Sequence, residues 1–105
     1  MRSQGQVRGV GISFEWHPDK AAENLRKHGV SFEEAATVFR DDLSVTVADP
    51  DHSVEEERLI TIGLSSQNRL LIVAHADRGD NIRIITAREL TSSERKQYEE
   101  ASWNG

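Results

Sequence analysis

Between Arg58 and Arg88 the chain repeats one pattern three times. The runs "RLITIGL" (Arg58–Leu64), "RLLIVAHA" (Arg69–Ala76) and "IRIITAR" (Ile82–Arg88) are rich in β-branched residues. Only "SSQN" (Ser65–Asn68) and "DRGDN" (Asp77–Asn81) separate them. Runs of this kind form strands. Connections this short cannot carry a crossover, so the three strands must be consecutive antiparallel neighbours.

The other elements have to pack against that meander. "ISFEW" (Ile12–Trp16) alternates like a short strand, and so does "LSVTVA" (Leu43–Ala48). "HPDKAAENLRKHG" predicts a helix opened by Pro18 or Asp19 and closed by Gly29. Its apolar stripe would be Ala21, Ala22 and Leu25. His28 lies three residues after Leu25, which predicts a partly buried histidine closing the helix. Lys20, Asn24 and Lys27 would form a separate polar face. "VSFEEAATVF" predicts a second helix, with Ser31 and Glu34 as a capping box and Phe32, Ala35, Ala36 and Phe39 toward the core. Thr91 and Glu94 form a second capping box and open a third helix. The predicted order is β-α-α-β-β-β-β-α. It describes an α+β domain with an antiparallel sheet packed against helices.

A chain of 105 residues suits one domain. Residues 1–11, with no apolar period, are expected to be a disordered leader before a single domain over 12–105. Absence of a signal core and of any long apolar run points to a cytoplasmic protein with no membrane partner. Absence of cysteine excludes disulfides, iron–sulfur clusters and thiolate zinc. His17, His28, His52 and His75 lack metal-ligand spacing, and no phosphate loop or dinucleotide fingerprint is present. No metal and no cofactor are expected.

Charge is uneven along the chain. Net charge is −5, yet residues 1–57 hold six Lys and Arg against twelve acids, while residues 58–96 hold seven against four. Overall acidity argues against a generic nucleic-acid binder, and the arginine-rich second half supplies a local basic patch. Arg58, His75, Arg78, Arg83 and Arg88 lie in or at the ends of the predicted strands. Alternation places Arg88 with Ile84 and Thr86, and Arg83 on the opposite face. The arginines can share one face only if a bulge intervenes.

The stretches "FEWHPDKAAENLRKHGVSF" (Phe14–Phe32), "EER" (Glu56–Arg58), Gly63, "LLIVAH" (Leu70–His75) and "RIITARELTSSERKQYE" (Arg83–Glu99) together resemble the BrnT toxin family. Thr86 keeps a hydroxyl where the family pattern has serine. The resemblance implies a RelE-like fold and a toxin of a type II toxin–antitoxin pair that acts on RNA and blocks translation. It also implies neutralisation by a cognate BrnA-like, DNA-binding antitoxin, through which alone operator DNA is engaged.

A metal-independent ribonuclease can use the RNA's own 2′-hydroxyl as nucleophile. It then needs a base, an acid and cations for the crowded phosphate, a task that suits the arginine fork. Arg58, Arg83 and Arg88 are the expected phosphate holders. His75 is the first expectation for acid or base, because imidazole exchanges protons near neutrality; His28 and Glu57 follow. Lys20, Lys27 and Arg78 are expected to bind RNA. The rival class is a non-catalytic binding module, a degenerate toxin kept as an antitoxin-bound co-repressor. The basic, partly apolar surface that admits RNA also suits an acidic or amphipathic antitoxin segment.

Overall fold

The computed structural model describes residues 5–9, 12–50 and 57–104. Its elements run β1 (Gly5–Gly9), β2 (Ile12–Trp16), α1 (Pro18–His28), α2 (Phe32–Thr37), a 3₁₀ turn (Val38–Arg40), β3 (Val45–Ala48), β4 (Arg58–Leu64), β5 (Leu70–Arg78), β6 (Asn81–Glu89) and α3 (Ser92–Asn104). The strands form one sheet in the order β1-β2-β6-β5-β4-β3.

The meander forms as its short turns require, with β3–β4, β4–β5 and β5–β6 all antiparallel. The sheet as a whole is mixed, because β2 runs parallel to β6. The helices carry the chain from β2 to the far edge, and the meander walks back until β6 meets β2. Short-range turn signals cannot report a pairing between strands some seventy residues apart. Within the expected leader, Gly5–Gly9 form β1, antiparallel to β2. That pairing uses backbone groups, which no apolar period announces. The rest of residues 1–11 lies outside the described residues, as does the acidic loop from 51 to 56.

One sheet face is covered by α1, α2 and the 3₁₀ turn. Phe14 and Trp16 from β2, Leu71 and Val73 from β5, and Ile82, Ile84 and Ala87 from β6 meet Val30, Phe32, Ala35, Ala36 and Val38. Trp16 meets the Phe32 ring edge-on at 5.9 Å, and Phe39 stacks tilted on Phe14 at 5.2 Å. Full burial of an aromatic such as Phe32 contributes about 2–3 kcal/mol. The predicted inward face of α2 is therefore present. Gly63 also lies on this side. A Cβ there would meet Ser44 Cβ at 2.9 Å and Val38 Cγ1 at 3.0 Å, so glycine lets the turn close on β4. Asp41 ties the same corner by accepting from Leu43 N and Leu64 N, which delays β3 to Val45.

The first helix faces differently from its apolar pattern. Its ends are as expected: Pro18 opens it, and Gly29 closes it at φ 68° with its N–H on the Leu25 carbonyl. Leu25 is 52 % exposed, however, Ala22 and His28 are exposed, and the buried residue is Asn24. The cause lies in the sheet. β2 pairs with β6 only as far as Arg83, which leaves the β6 edge bare beyond it. Asn24 takes over there: Nδ2 donates to the Ala87 carbonyl at 2.8 Å, and Oδ1 accepts from Ala87 N at 3.0 Å. Nδ2 also donates to the Val30 carbonyl. An amide side chain thus continues the ladder where the strand stops.

The capping boxes differ as well. Thr91 and Glu94 cap reciprocally, at 2.9 and 3.2 Å. Ser31 accepts from Glu34 N, but the Glu34 carboxylate turns away to Arg69 and Ser65.

Replacing Asn24 with alanine leaves three buried backbone groups without partners. The expected loss is about 2–4 kcal/mol in urea unfolding, since each orphaned group costs about 1–3 kcal/mol. A loss under about 0.5 kcal/mol, the usual surface range, would remove Asn24 from this role.

Candidate functional site: an arginine face made by a bulge

The sheet face turned away from α1 and α2 follows from register; α3 spans one end of it, from Glu94 on Arg88 to Tyr98, whose hydroxyl donates to the Leu43 carbonyl at 3.0 Å. Arg58, Ala76 and Arg83 lie side by side on β4, β5 and β6. The next row is Ile60, Ala74 and Thr86, and the one after is Ile62, Ile72 and Arg88. Between Ala74 and His75 the β5–β6 register shifts, and Ile85 is left without a partner. This is a β-bulge, and it exchanges the two faces of β6 at that point. Ile84 therefore enters the core at 1 % exposure, and Arg83 joins Arg88 on the open side. The condition set by strand parity for a common arginine face is met. Adjacent strands lie about 4.8 Å apart, so Arg58 and Arg83 straddle Ala76 at about 10 Å. Ala76 itself is 2 % exposed.

Two depressions meet at the bulge. One, of about 230 Å³, is lined by Arg58, Arg88, Asp49, Ile60, Ile72 and Thr86 among others. The second, of about 100 Å³, is lined by Lys20, Lys27, His28 and Asn24 on α1. Ile85 and Thr86 belong to both. The bulge thus joins the arginine groove to the polar edge of α1. Glu57 is exposed directly beside Arg58, and Arg78 is exposed at the far end of β5, opposite Asn81. Glu15, half-buried on β2, is the register partner of Arg83. The period of β2 puts Glu15 opposite Phe14 and Trp16, a signal that could have marked it.

The arginines are not equivalent. Arg88 binds Glu94 with both arms, at 2.8 and 3.0 Å. The guanidinium and the Thr91 amide hold the Glu94 carboxyl down at about 2, and the same pair raises Arg88. Arg88 thereby fixes the start of α3. Among the described residues, neither Arg58 nor Arg83 forms an ion pair with a carboxylate. Lys27 meets Glu23 at 3.4 Å on the exposed face of α1.

His75 lies on the other side of the sheet, with 1 % exposure. Nδ1 bonds Asp77 Oδ1 at 2.7 Å, Nε2 bonds Thr61 Oγ1 at 2.7 Å, and Phe39 packs against the ring. Thr61 bonds Thr46 in turn at 2.7 Å. The structure does not bring His75, the first expectation for acid or base, together with the arginines. Both nitrogens are occupied, and the ring is walled off from the arginine groove by the sheet. Parity with Leu71 and Val73 already pointed inward; Thr61 and Asp77 are the polar partners that make the burial tolerable.

A second buried network was not foreseen. The Arg69 guanidinium reaches both Glu34 oxygens and also donates to the Gly29 carbonyl and to Glu89. Ser65 Oγ donates to Glu34 as well. The Arg69 hydrogen bond lowers Glu34, which is 3 % exposed. This cluster ties the α1–α2 corner to the β4–β5 turn. Among the described residues, no three His, Cys, Asp or Glu side chains converge as a metal-ligand set, and no helix is long and apolar enough to cross a membrane.

Residues 16–94 match the family model described as "Ribonuclease toxin, BrnT, of type II toxin-antitoxin system". The class so defined is the toxin half of a toxin–antitoxin pair, a ribonuclease neutralised by its antitoxin. Within that class, the chain belongs to the BrnT family. Its fold is similar to the crystal structure of the Brucella abortus ribonuclease toxin, BrnT, with a TM-score of 0.58 and 19 % identity. That similarity covers 73 % of this chain and 94 % of the other. No curated protein matches the chain.

Burial drives the His75 pKa below its ordinary 6.5, against the opposing pull of Asp77. The unfolded state then binds the extra proton, so His75 contributes stability that is present above about 6.5 and lost as pH falls below it. Melting temperature should drop between about pH 7 and pH 5, ahead of the loss from Glu34 and Glu94 at lower pH. His75→Gln should flatten that step; an unchanged step would assign it elsewhere.

Proposed function

We propose that the arginine face is where this toxin binds and cleaves RNA, and that Arg58 and Arg83 hold the phosphate under attack. The observation that carries this is the bulge at Ile85, which puts Arg83 on the same sheet face as Arg58, itself part of the groove lining. Two guanidiniums that pair with no carboxylate among the described residues can each offer paired N–H donors to phosphate oxygens. Lys20 and Lys27 on the α1 rim extend the positive edge along which a strand of RNA would run. Arg78 lies at the end of the β5–β6 hairpin, where it would reach only a longer RNA. Arg88, already bound to Glu94, holds α3 rather than substrate.

The reaction proposed is metal-independent transesterification. The 2′-oxygen loses its proton and attacks the adjacent phosphorus; the 5′-oxygen leaves with a proton, giving a 2′,3′-cyclic phosphate and a 5′-hydroxyl. His28 lines the depression beyond Thr86 and is the acid–base group on this reading, and Glu57 stands at the other end beside Arg58. The setting is the cytoplasm. The cognate antitoxin is BrnA-like and carries the DNA-binding function for the operon, and the fold belongs with the RelE-like ribonucleases.

Arg58→Ala with Arg83→Ala should abolish growth arrest and slow cleavage of purified RNA by about 10²-fold or more, the usual effect of removing charge stabilisation. Cleavage by the wild type should persist in EDTA. His28→Ala should lose cleavage while keeping RNA binding. A folded double arginine variant that stays fully toxic would end this assignment. Intact RNA with the wild-type protein, free of antitoxin, would favour the co-repressor reading.

A further inference from the structure

Among the described residues, β3 has nothing paired with its outer edge. It pairs with β4 alone, and all four of its residues are exposed, Val45 at 47 % and Val47 at 51 %. Asp49 N donates to the Arg58 carbonyl, which sets the alternation. Val45 and Val47 direct their backbone groups to β4, and the N–H and C=O of Thr46 and Ala48 point outward. Soluble proteins blunt such edges with lysine, proline, bulges or inward charge. "VTVA" carries none of these. Leu43, 75 % exposed, extends the apolar strip before it.

Charge selects the occupant. Between Arg40 and Arg58 the sequence holds seven acids and no lysine or arginine. The edge strand sits inside that acidic stretch. RNA is repelled there. A second copy pairing antiparallel on β3 would set acidic flank against acidic flank. A segment with an extended, β-branched middle and basic residues on either side meets both the hydrogen bonds and the charge.

We propose that β3 is the docking edge for the antitoxin, which adds an extended, basic-flanked segment as a seventh strand. This rests on membership of a toxin–antitoxin family, not on the assignment of the RNA face. Val45 and Val47 lie on the same sheet face as Ile60 and Ile62, so the added strand borders the arginine groove and can hinder RNA without filling it.

Hydrogen exchange of the whole toxin, alone and in complex with its antitoxin, tests the edge. The amides of Thr46 and Ala48 should slow in the complex. Ala48→Pro removes one outward donor and leaves the β4 ladder intact, so it should weaken the complex by at least about tenfold, the worth of one backbone hydrogen bond. Its melting temperature and RNA cleavage should stay unchanged. Affinity should fall as salt is added. Protection confined to Arg58, Ala76 and Arg83, with Ala48→Pro binding normally, would overturn the proposal and place an acidic segment on the arginine face. Protection of β3 in the toxin alone, rising with its concentration, would overturn it in favour of a second copy. Loss of RNA cleavage in Arg58→Ala leaves both tests of β3 unaffected, so the two assignments fail separately.

Discussion

One unpaired residue, Ile85, decides what the open side of this protein is. With a regular ladder, Arg83 would point into the helices and Ile84 into solvent. Neither could be tolerated: an arginine buried without a partner costs several kcal/mol, and an isoleucine left out of the core forfeits about 2 kcal/mol. The bulge resolves both conflicts at one point and places Arg83 beside Arg58. Asn24 acts two residues away, binding both backbone groups of Ala87. The same amide that closes the edge of β6 also holds α1 against the bulge, and with α1 come Lys20, Lys27 and His28. Fold and site therefore share their joint.

Much of this was legible in the chain. Short turns dictated the antiparallel meander. Phe32, Ala35 and Ala36 announced the inward face of α2, and Thr91 with Glu94 marked the start of α3. Strand parity went further, since it named a bulge as the condition for a common arginine face. What parity could not supply was whether the bulge exists. A bulge has no residue signature here, because Ile85 is an ordinary strand residue between ordinary strand residues.

The misplacements share one cause. Periodicity ranks residues by polarity, whereas burial also depends on hydrogen-bond partners distant in sequence. Asn24 looked like surface and Leu25 like core; the bare edge of β6 reversed them. His75 is ionisable, and the fold sets it apart from the arginines, with Asp77, Thr61 and Phe39 around its ring. Glu34 looked committed to Ser31 until Arg69 took its carboxylate. The parallel β2–β6 pair joins segments far apart in the chain, which local pattern does not reach.

The uneven charge noted in the sequence also acquires a meaning in space. Arginines from β4 and β6 collect on the open face, while the acids between Arg40 and Arg58 flank β3 along the chain. An acidic protein can thus keep a basic groove for a polyanion without attracting it elsewhere.

The claim that this face receives RNA is tested most directly at the guanidinium groups themselves. Arginine Nε–H resonances can be followed as a 2′-deoxy, uncleavable oligonucleotide is titrated into the folded protein. Those of Arg58 and Arg83 should shift together and saturate at one stoichiometry, while Arg69, locked to Glu34 on the far side, should stay still. Shifts at Arg69 or along α2 with Arg58 and Arg83 unmoved would contradict the account.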